Sequence, residues 1–168
     1  VDQLWAPWRL SYVTKPKEKT EKTPANGDPC FICRGVAERE DRKNLIVYRS
    51  NLSVVILNRF PYNNGHLLVC PKTHQGQLEE QSVEELLDQQ VVIRKLLGII
   101  RKRMSPDGFN VGLNLGRAAG AGVPGHLHWH IVPRWNGDTN FMPVLTDTRV
   151  IVQSLDALYD LITEELQD

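Results

Sequence analysis

No stretch of the 168 residues approaches the roughly 18 consecutive apolar residues of a membrane span. No basic segment followed by an apolar run opens the chain, so neither a membrane anchor nor a signal peptide is expected. Charge of one sign is not in excess either: 20 basic and 20 acidic residues cancel to a formal net charge of zero. That balance argues against a broad nucleic-acid surface, which needs a basic excess. It leaves room for a small phosphate-bearing substrate held by a few local donors. Cysteine is scarce and odd in number. Cys30, Cys33 and Cys70 make a poor disulfide framework, which points to a reducing, cytoplasmic compartment and leaves the pair Cys30-Phe-Ile-Cys33 to be explained otherwise. Internal repeats and low-complexity tracts are missing.

What remains is a chain of one-domain size, 41% hydrophobic and 24% charged, as globular proteins are. Residues 14–29 hold no large apolar side chain and read as a linker or mobile loop. They follow an N-terminal segment, 1–13, in which Leu4-Trp5-Ala6-Pro7-Trp8 needs burial, on the domain itself or on a partner subunit. Beyond the linker, Leu45–Tyr48, Ser53–Leu57 and His66–Cys70 have the β-branched, turn-bounded look of short antiparallel strands. Ser82-Val-Glu-Glu85 is a capping box, and the apolar residues Val83, Leu86, Leu87, Val91, Leu97, Ile100 and Met104 behind it recur at helical spacing. Ser105-Pro-Asp-Gly108 stops that helix. Strands are expected at Phe109–Leu115 and His126–Pro133, around a glycine-rich loop from Gly116 to Gly125, and an amphipathic helix from Ile151 to Leu166 closes the chain. The expected class is α+β, an antiparallel sheet with helices packed on it.

Three of the five histidines stand in His126-Leu-His128-Trp-His130-Ile-Val-Pro133. In a strand alternate side chains share a face, so the three imidazoles line one side at intervals of roughly 6.6 Å while Leu127, Trp129 and Ile131 line the other. A half-buried strand needs only some polar outer face, for which Thr, Lys or Glu is the usual filler. Alternating histidines also bind zinc or copper. Spacing alone leaves the metal and the catalytic readings both open.

The motif His126-Leu-His-Trp-His-Ile-Val132 resembles the signature of the histidine triad superfamily, and the resemblance runs from residue 4 to about residue 145. Leu57-Asn-Arg-Phe-Pro-Tyr-Asn-Asn-Gly-His-Leu-Leu-Val-Cys-Pro-Lys-Thr-His74 looks like that family's nucleoside-binding loop and following strand, and Gly112-Leu-Asn-Leu-Gly116 like its phosphate-contacting segment. Leu4–Arg9 and Pro133–Phe141 resemble a bacterial branch that includes diadenosine tetraphosphate phosphorylases. The resemblance implies one triad domain over 1–168 and a homodimer in which two sheets and their long helices join. It also implies cleavage of a diadenosine polyphosphate or related adenosine nucleotide at its α-phosphate through a nucleotidyl-histidine, as hydrolase or phosphorylase. His128 would be the nucleophile, His130 a donor to the phosphate or leaving-group oxygen, and Asn114 a phosphate contact, although a strand-ending turn residue would serve equally at that position. Asn58 would touch the ribose, where an ordinary strand-end asparagine is the alternative. His66 would support the catalytic strand. Phe31 and Ile56 could flank the base, although any apolar core would use such residues. No nucleic acid, membrane or organic cofactor is implied.

Two features need separate treatment. Cys30-x-x-Cys33 is half of a zinc site, a redox pair or incidental. In bacterial relatives the histidine of Lys-Thr-His and the first triad histidine complete such a site, which here selects His74 and His126 and implies structural zinc, with Cys70 left as a core residue. Four protein ligands leave no open position for a metal-bound water, which counts against a zinc hydrolase. Many relatives also carry a Ser or Thr just ahead of the triad. This chain has Ala121-Gly-Val-Pro-Gly125, without a side-chain donor. The competing function is a nucleotide-binding or signalling module that turns over little.

Overall fold

The computed structural model describes residues 30–140 and 150–167; the expected docking segment 1–13 and linker 14–29 lie outside the described residues. The elements are α1 (Phe31–Glu38), β1 (Ile46–Arg49), β2 (Ser53–Leu57), β3 (Leu67–Pro71), α2 (Val83–Met104), β4 (Gly108–Leu113), β5 (Trp129–Arg134) and α3 (Leu155–Gln167). The strands form one antiparallel sheet in the order β1-β2-β3-β5-β4, so the α+β expectation holds.

Period two in the strands divides the core into two layers. Val55, Leu57, Leu67, Val69 and Ile131 enter the larger cluster, against Val92, Ile93, Leu96 and Ile100 of α2 and Leu158 and Ile162 of α3. Val54, Ile56, Leu68 and Cys70 face the other way and meet Ile32 of α1. Both faces of β2 and β3 are therefore covered, which explains why these strands read as continuous apolar runs instead of alternating ones. Cys70 is the core residue expected, and burial pushes its thiol well above the usual range.

Helix α2 starts where the capping box placed it. Ser82 Oγ accepts from the Glu85 N–H at 3.2 Å, and Glu85 Oε2 accepts from the Ser82 N–H at 3.0 Å. The buried Gln89 on this helix accepts from Trp129 Nε1 at 2.8 Å and so pins the first residue of β5 to the helix. Helix α1 has no counterpart in the sequence-based reading. Arg49 of β1 anchors it by donating to the carbonyls of Gly35 (2.8 Å) and Val36 (3.1 Å) at its free C-terminal end.

Two boundaries differ from expectation by three residues or more. The closing helix starts at Leu155, not at Ile151. Ser154 Oγ accepts from the Ala157 N–H at 3.2 Å, and Val152 is 83% exposed. Strand β5 starts at Trp129, not at His126. The three residues before it are held by loops: His126 N–H donates to Val123 O at 3.2 Å and Leu127 N–H to Gln75 O at 2.8 Å. Among the described residues no helix is long and apolar enough to cross a membrane.

Candidate functional site

The histidines all lie on the α1 side of the sheet, beyond the edge of the smaller core. His130 pairs with Leu68 across β3 and with Gly112 across β4. His126, His128 and His130 are each at most 8% exposed, so their polar atoms need partners. The partners differ, and they leave a different group free on each ring: a lone pair on Nδ1 of His126, a lone pair on Nε2 of His128 and a proton on Nε2 of His130.

His126 Nε2 stands 2.8 Å from the carbonyl oxygen of Pro71. A carbonyl only accepts, so Nε2 carries the proton and Nδ1 presents its lone pair. That lone pair is 3.3 Å from Cys30 Sγ and 3.5 Å from Cys33 Sγ, and His74 Nδ1 is 3.2 Å from Cys33 Sγ. The four donor atoms all lie within 4.8 Å of one another. Zinc bonds of about 2.3 Å to sulfur and 2.0–2.1 Å to nitrogen put tetrahedral ligand atoms roughly 3.3–3.8 Å apart, so the donor set fits. The His126 hydrogen bond to Pro71 is the outer support such a ligand needs. Burial, with the neighbouring Cys30, pushes the Cys33 thiol up to about 11, so a thiolate here calls for a cation beside it. Glycine permits the closure of this corner: a Cβ at Gly76 would lie 2.5 Å from Pro124 O. All three cysteines are free thiols.

His128 is held from the opposite nitrogen. Its Nδ1–H donates to the carbonyl of His126 at 2.8 Å, leaving the Nε2 lone pair unused by the ring's own support. One residue, His126, thus offers its side chain to the thiols and its carbonyl to His128.

His130 belongs to a third arrangement. The backbone N–H of Tyr62 donates to His66 Nδ1 at 3.0 Å, which places the His66 proton on Nε2. That proton is donated to His130 Nδ1 at 2.9 Å, which in turn places the His130 proton on Nε2. Burial, then the charges that His130 and His128 would carry, holds His66 down to about 3. Burial, then His128, holds His130 down to about 4, so both rings are neutral at neutral pH. Gly65, at φ +75°, makes the turn that presents His66. The His130 Nε2–H faces the Asn114 amide nitrogen at 3.4 Å. Two N–H donors this close, each with hydrogen to give, suit a shared acceptor such as a phosphoryl oxygen.

The remaining expected residues sort plainly. Asn58 lies beside His66, with Nδ2 3.2 Å from its Nδ1, while Asn58 Oδ1 accepts from the Phe60 N–H at 3.0 Å. Phe31 is 38% exposed on α1, whereas Ile56 is 3% exposed and packed in the smaller core, so it backs the site without lining it. Tyr62 was not anticipated. Its ring stacks on His130 at 5.5 Å, at the edge of a cavity of about 450 Å³ that continues past Asn110 and Val132 on the same sheet face. The Pro71 carbonyl and the N–H of Tyr62 were also missed, and which backbone carbonyl holds His128 was not legible, because a backbone group leaves no mark on the sequence.

A family model described as the HIT domain matches residues 39–137. An AP-4-A phosphorylase from Mycobacterium tuberculosis is 36% identical over 155 residues, covering 92% of this chain and 79% of that one. The crystal structure of a Zn-bound histidine triad family protein from Mycobacterium smegmatis superposes with a TM-score of 0.65 at 28% identity, covering 82% of this chain and 93% of that chain. A hypothetical histidine triad nucleotide-binding protein from Sulfolobus tokodaii gives a TM-score of 0.65 at 26% identity, covering 82% and 92%.

Proposed function

The chain belongs to the HIT domain family, and we propose that it transfers the nucleotidyl group of a diadenosine polyphosphate to orthophosphate through a covalent intermediate on His128. The observation that carries this reading is the ring support: His128 has its proton fixed on Nδ1 at 2.8 Å from a carbonyl, beside the donors of His130 and Asn114.

In the first step His128 Nε2 forms a bond to the α-phosphorus and the bond from that phosphorus to the bridging oxygen breaks. The ring becomes a cationic, doubly substituted imidazolium, steadied by its Nδ1–H bond to the His126 carbonyl. His130 Nε2–H and Asn114 stabilise the charge on the phosphoryl oxygens. His130 does not release its proton, because its Nδ1 already accepts from a neutral His66 and the ring would be left an anion. The loop 116–125 supplies no hydroxyl in its place. A leaving group must therefore depart as a stable anion. A polyphosphate does so, since its terminal proton is lost near pH 6, whereas an amine or alkoxide does not.

The same economy bears on the second step. Water would need a base to take its proton, and neither His66 nor His130 has a free lone pair to offer. Orthophosphate arrives already an oxyanion. Its oxygen bonds to phosphorus, the N–P bond breaks, and His128 is restored. With AP-4-A the products are ATP from the first step and ADP from the second. The M. tuberculosis relative, which bears the name AP-4-A phosphorylase, supports this choice. Product analysis with AP-4-A, with and without orthophosphate, tests it. ADP plus ATP only when phosphate is present is expected. AMP plus ATP regardless of phosphate identifies a hydrolase instead, and tight binding without either identifies a nucleotide-binding module.

Cys30, Cys33, His74 and His126 would hold a structural zinc, whose chemistry is to fix these four side chains as thiolate and imidazole ligands. We also read the particle as a homodimer. Strand β4 is an edge of the sheet, and Val83, Leu87 and Val91 leave an apolar stripe on α2 that is 54–65% exposed. Light scattering should report twice the chain mass, and Leu87→Glu should shift it to the mass of one chain. A single-chain mass before mutation overturns the dimer.

A further inference from the structure

The reaction corner is built from neutral groups: His66, His130, Asn58 and Asn114 bring no positive charge to a polyanionic chain. Most cations elsewhere are engaged. Arg42 pairs with Asp160, Arg49 with Asp41, Arg103 with Glu164 and Glu165, and Arg134 with Asp138. Arg39, Arg59, Arg94 and Arg117 are exposed, with no carboxylate, carbonyl or ring partner among the described residues, and of these Arg117 is the one in the loop between Asn114 and the triad.

Its position is fixed by the loop that joins the phosphate segment to the triad. Arg117–Ala119 form one tight turn, closed by Gly120 N–H to Arg117 O at 3.0 Å and by Ala121 N–H to Gly116 O at 3.2 Å. The turn rests on the site. A Cβ at Gly120 would lie 3.9 Å from Asn114 Nδ2, itself 3.4 Å from His130 Nε2. An arginine three residues past Asn114, on a turn seated against that amide, has the length and the fork of donors to meet phosphates beyond the α-position. It also stands in the loop that lacks a hydroxyl to assist the leaving group.

Resting on the nucleotidyl-transfer reading above, we propose that Arg117 is the specificity-determining cation of this site. It binds the distal phosphates of the substrate and stabilises them as they leave. It thereby selects nucleotides with a polyphosphate chain over nucleoside monophosphates and their esters.

Equilibrium binding to protein carrying His128→Ala, which removes turnover, tests this with AP-4-A and AMP as probes. Adding Arg117→Ala should weaken AP-4-A binding about tenfold or more and AMP binding by no more than about twofold. Arg117→Gln, which keeps bulk and hydrogen bonding but loses the charge, should behave like Arg117→Ala. Arg94→Ala removes the same charge from α2, on the other face of the sheet, and should change neither affinity. Loss of both ligands in equal measure, loss of neither, or full AP-4-A affinity in Arg117→Gln overturns the role of Arg117 and leaves the transfer reading standing. Failure of the His128→Ala parent to bind either nucleotide overturns both.

Discussion

The proposed metal corner and the proposed reaction corner are built from the same residue type and share one residue, yet their hydrogen-bonding is opposite. At His126 and His74 the imidazoles turn Nδ1 to the two thiols at 3.2–3.5 Å, and His126 offers its lone pair inward. At His66 and His130 one ring donates to the next at 2.9 Å, and the last nitrogen offers a proton outward. His128 lies between them, supported by the carbonyl of a metal-corner residue while its ring packs edge-on to His130 at 5.0 Å. The difference lies in what holds the far nitrogen: Pro71 O, His126 O or His66 Nε2–H. A histidine's role here follows from its support, since three residues of one type two positions apart present three different faces to a ligand.

The sharpest way to break this comparison is to remove one ring from each corner. His128→Ala should lower the rate at least about a thousandfold while nucleotide affinity stays within a few-fold, because a covalent route is lost and most contacts remain. Retention of more than a few percent of the rate would remove His128 from the nucleophile role. Cys33→Ser should do the reverse. Elemental analysis is expected to show about one zinc per chain before the change and little after. The melting temperature should fall by roughly 10 °C, the shift that about 3 kcal/mol produces in a chain of this size. The rate per folded molecule should fall far less. A metal-free wild-type protein with Cys30 and Cys33 both open to thiol reagents contradicts the assignment of that corner.

How these corners were read from the sequence differs as well. All four members of the Cys-His cluster were legible, because side-chain donors are residues, and the structure brings Cys30, Cys33, His74 and His126 together. The reaction corner was legible only as residue names. Its tautomers depend on Pro71 O, His126 O and the Tyr62 N–H, which any residue could supply. The strand pattern put the three histidines on one face, which holds, but it began β5 too early, because glycine loops and the metal corner claim His126–His128. Helix α1 escaped because it has only two turns and its N-cap, Cys30, gives no side-chain cap to mark a start. The fold class came through because β2, β3 and α2 are strongly patterned and capped.

A smaller effect sharpens the donor chain. His66→Asn should lower kcat about tenfold with little change in KM, by freeing the His130 proton to sit on either nitrogen. The same variant should alter the acid limb of stability. His66 and His130 are held to about 3 and 4, against 6.5 for an ordinary histidine. Between those values the unfolded chain binds protons that the native protein refuses, so stability is full above about pH 6.5 and declines as pH falls toward 4 and then 3. His66→Asn removes one of the two groups, so urea midpoints measured from pH 7 to pH 4 should decline less steeply than in the wild type. An unchanged slope would mean that His66 already takes its proton in the native state near neutral pH.

The covalent step is open to direct observation. AP-4-A is mixed with the wild-type protein in the absence of orthophosphate, quenched rapidly under alkaline denaturing conditions, and digested for peptide mass spectrometry. A nucleotidyl group on His128, discharged as ADP when orthophosphate is added before the quench, is the expected result. Steady turnover with no adduct at any quench time, or an adduct on His66 or His130 in place of His128, contradicts it.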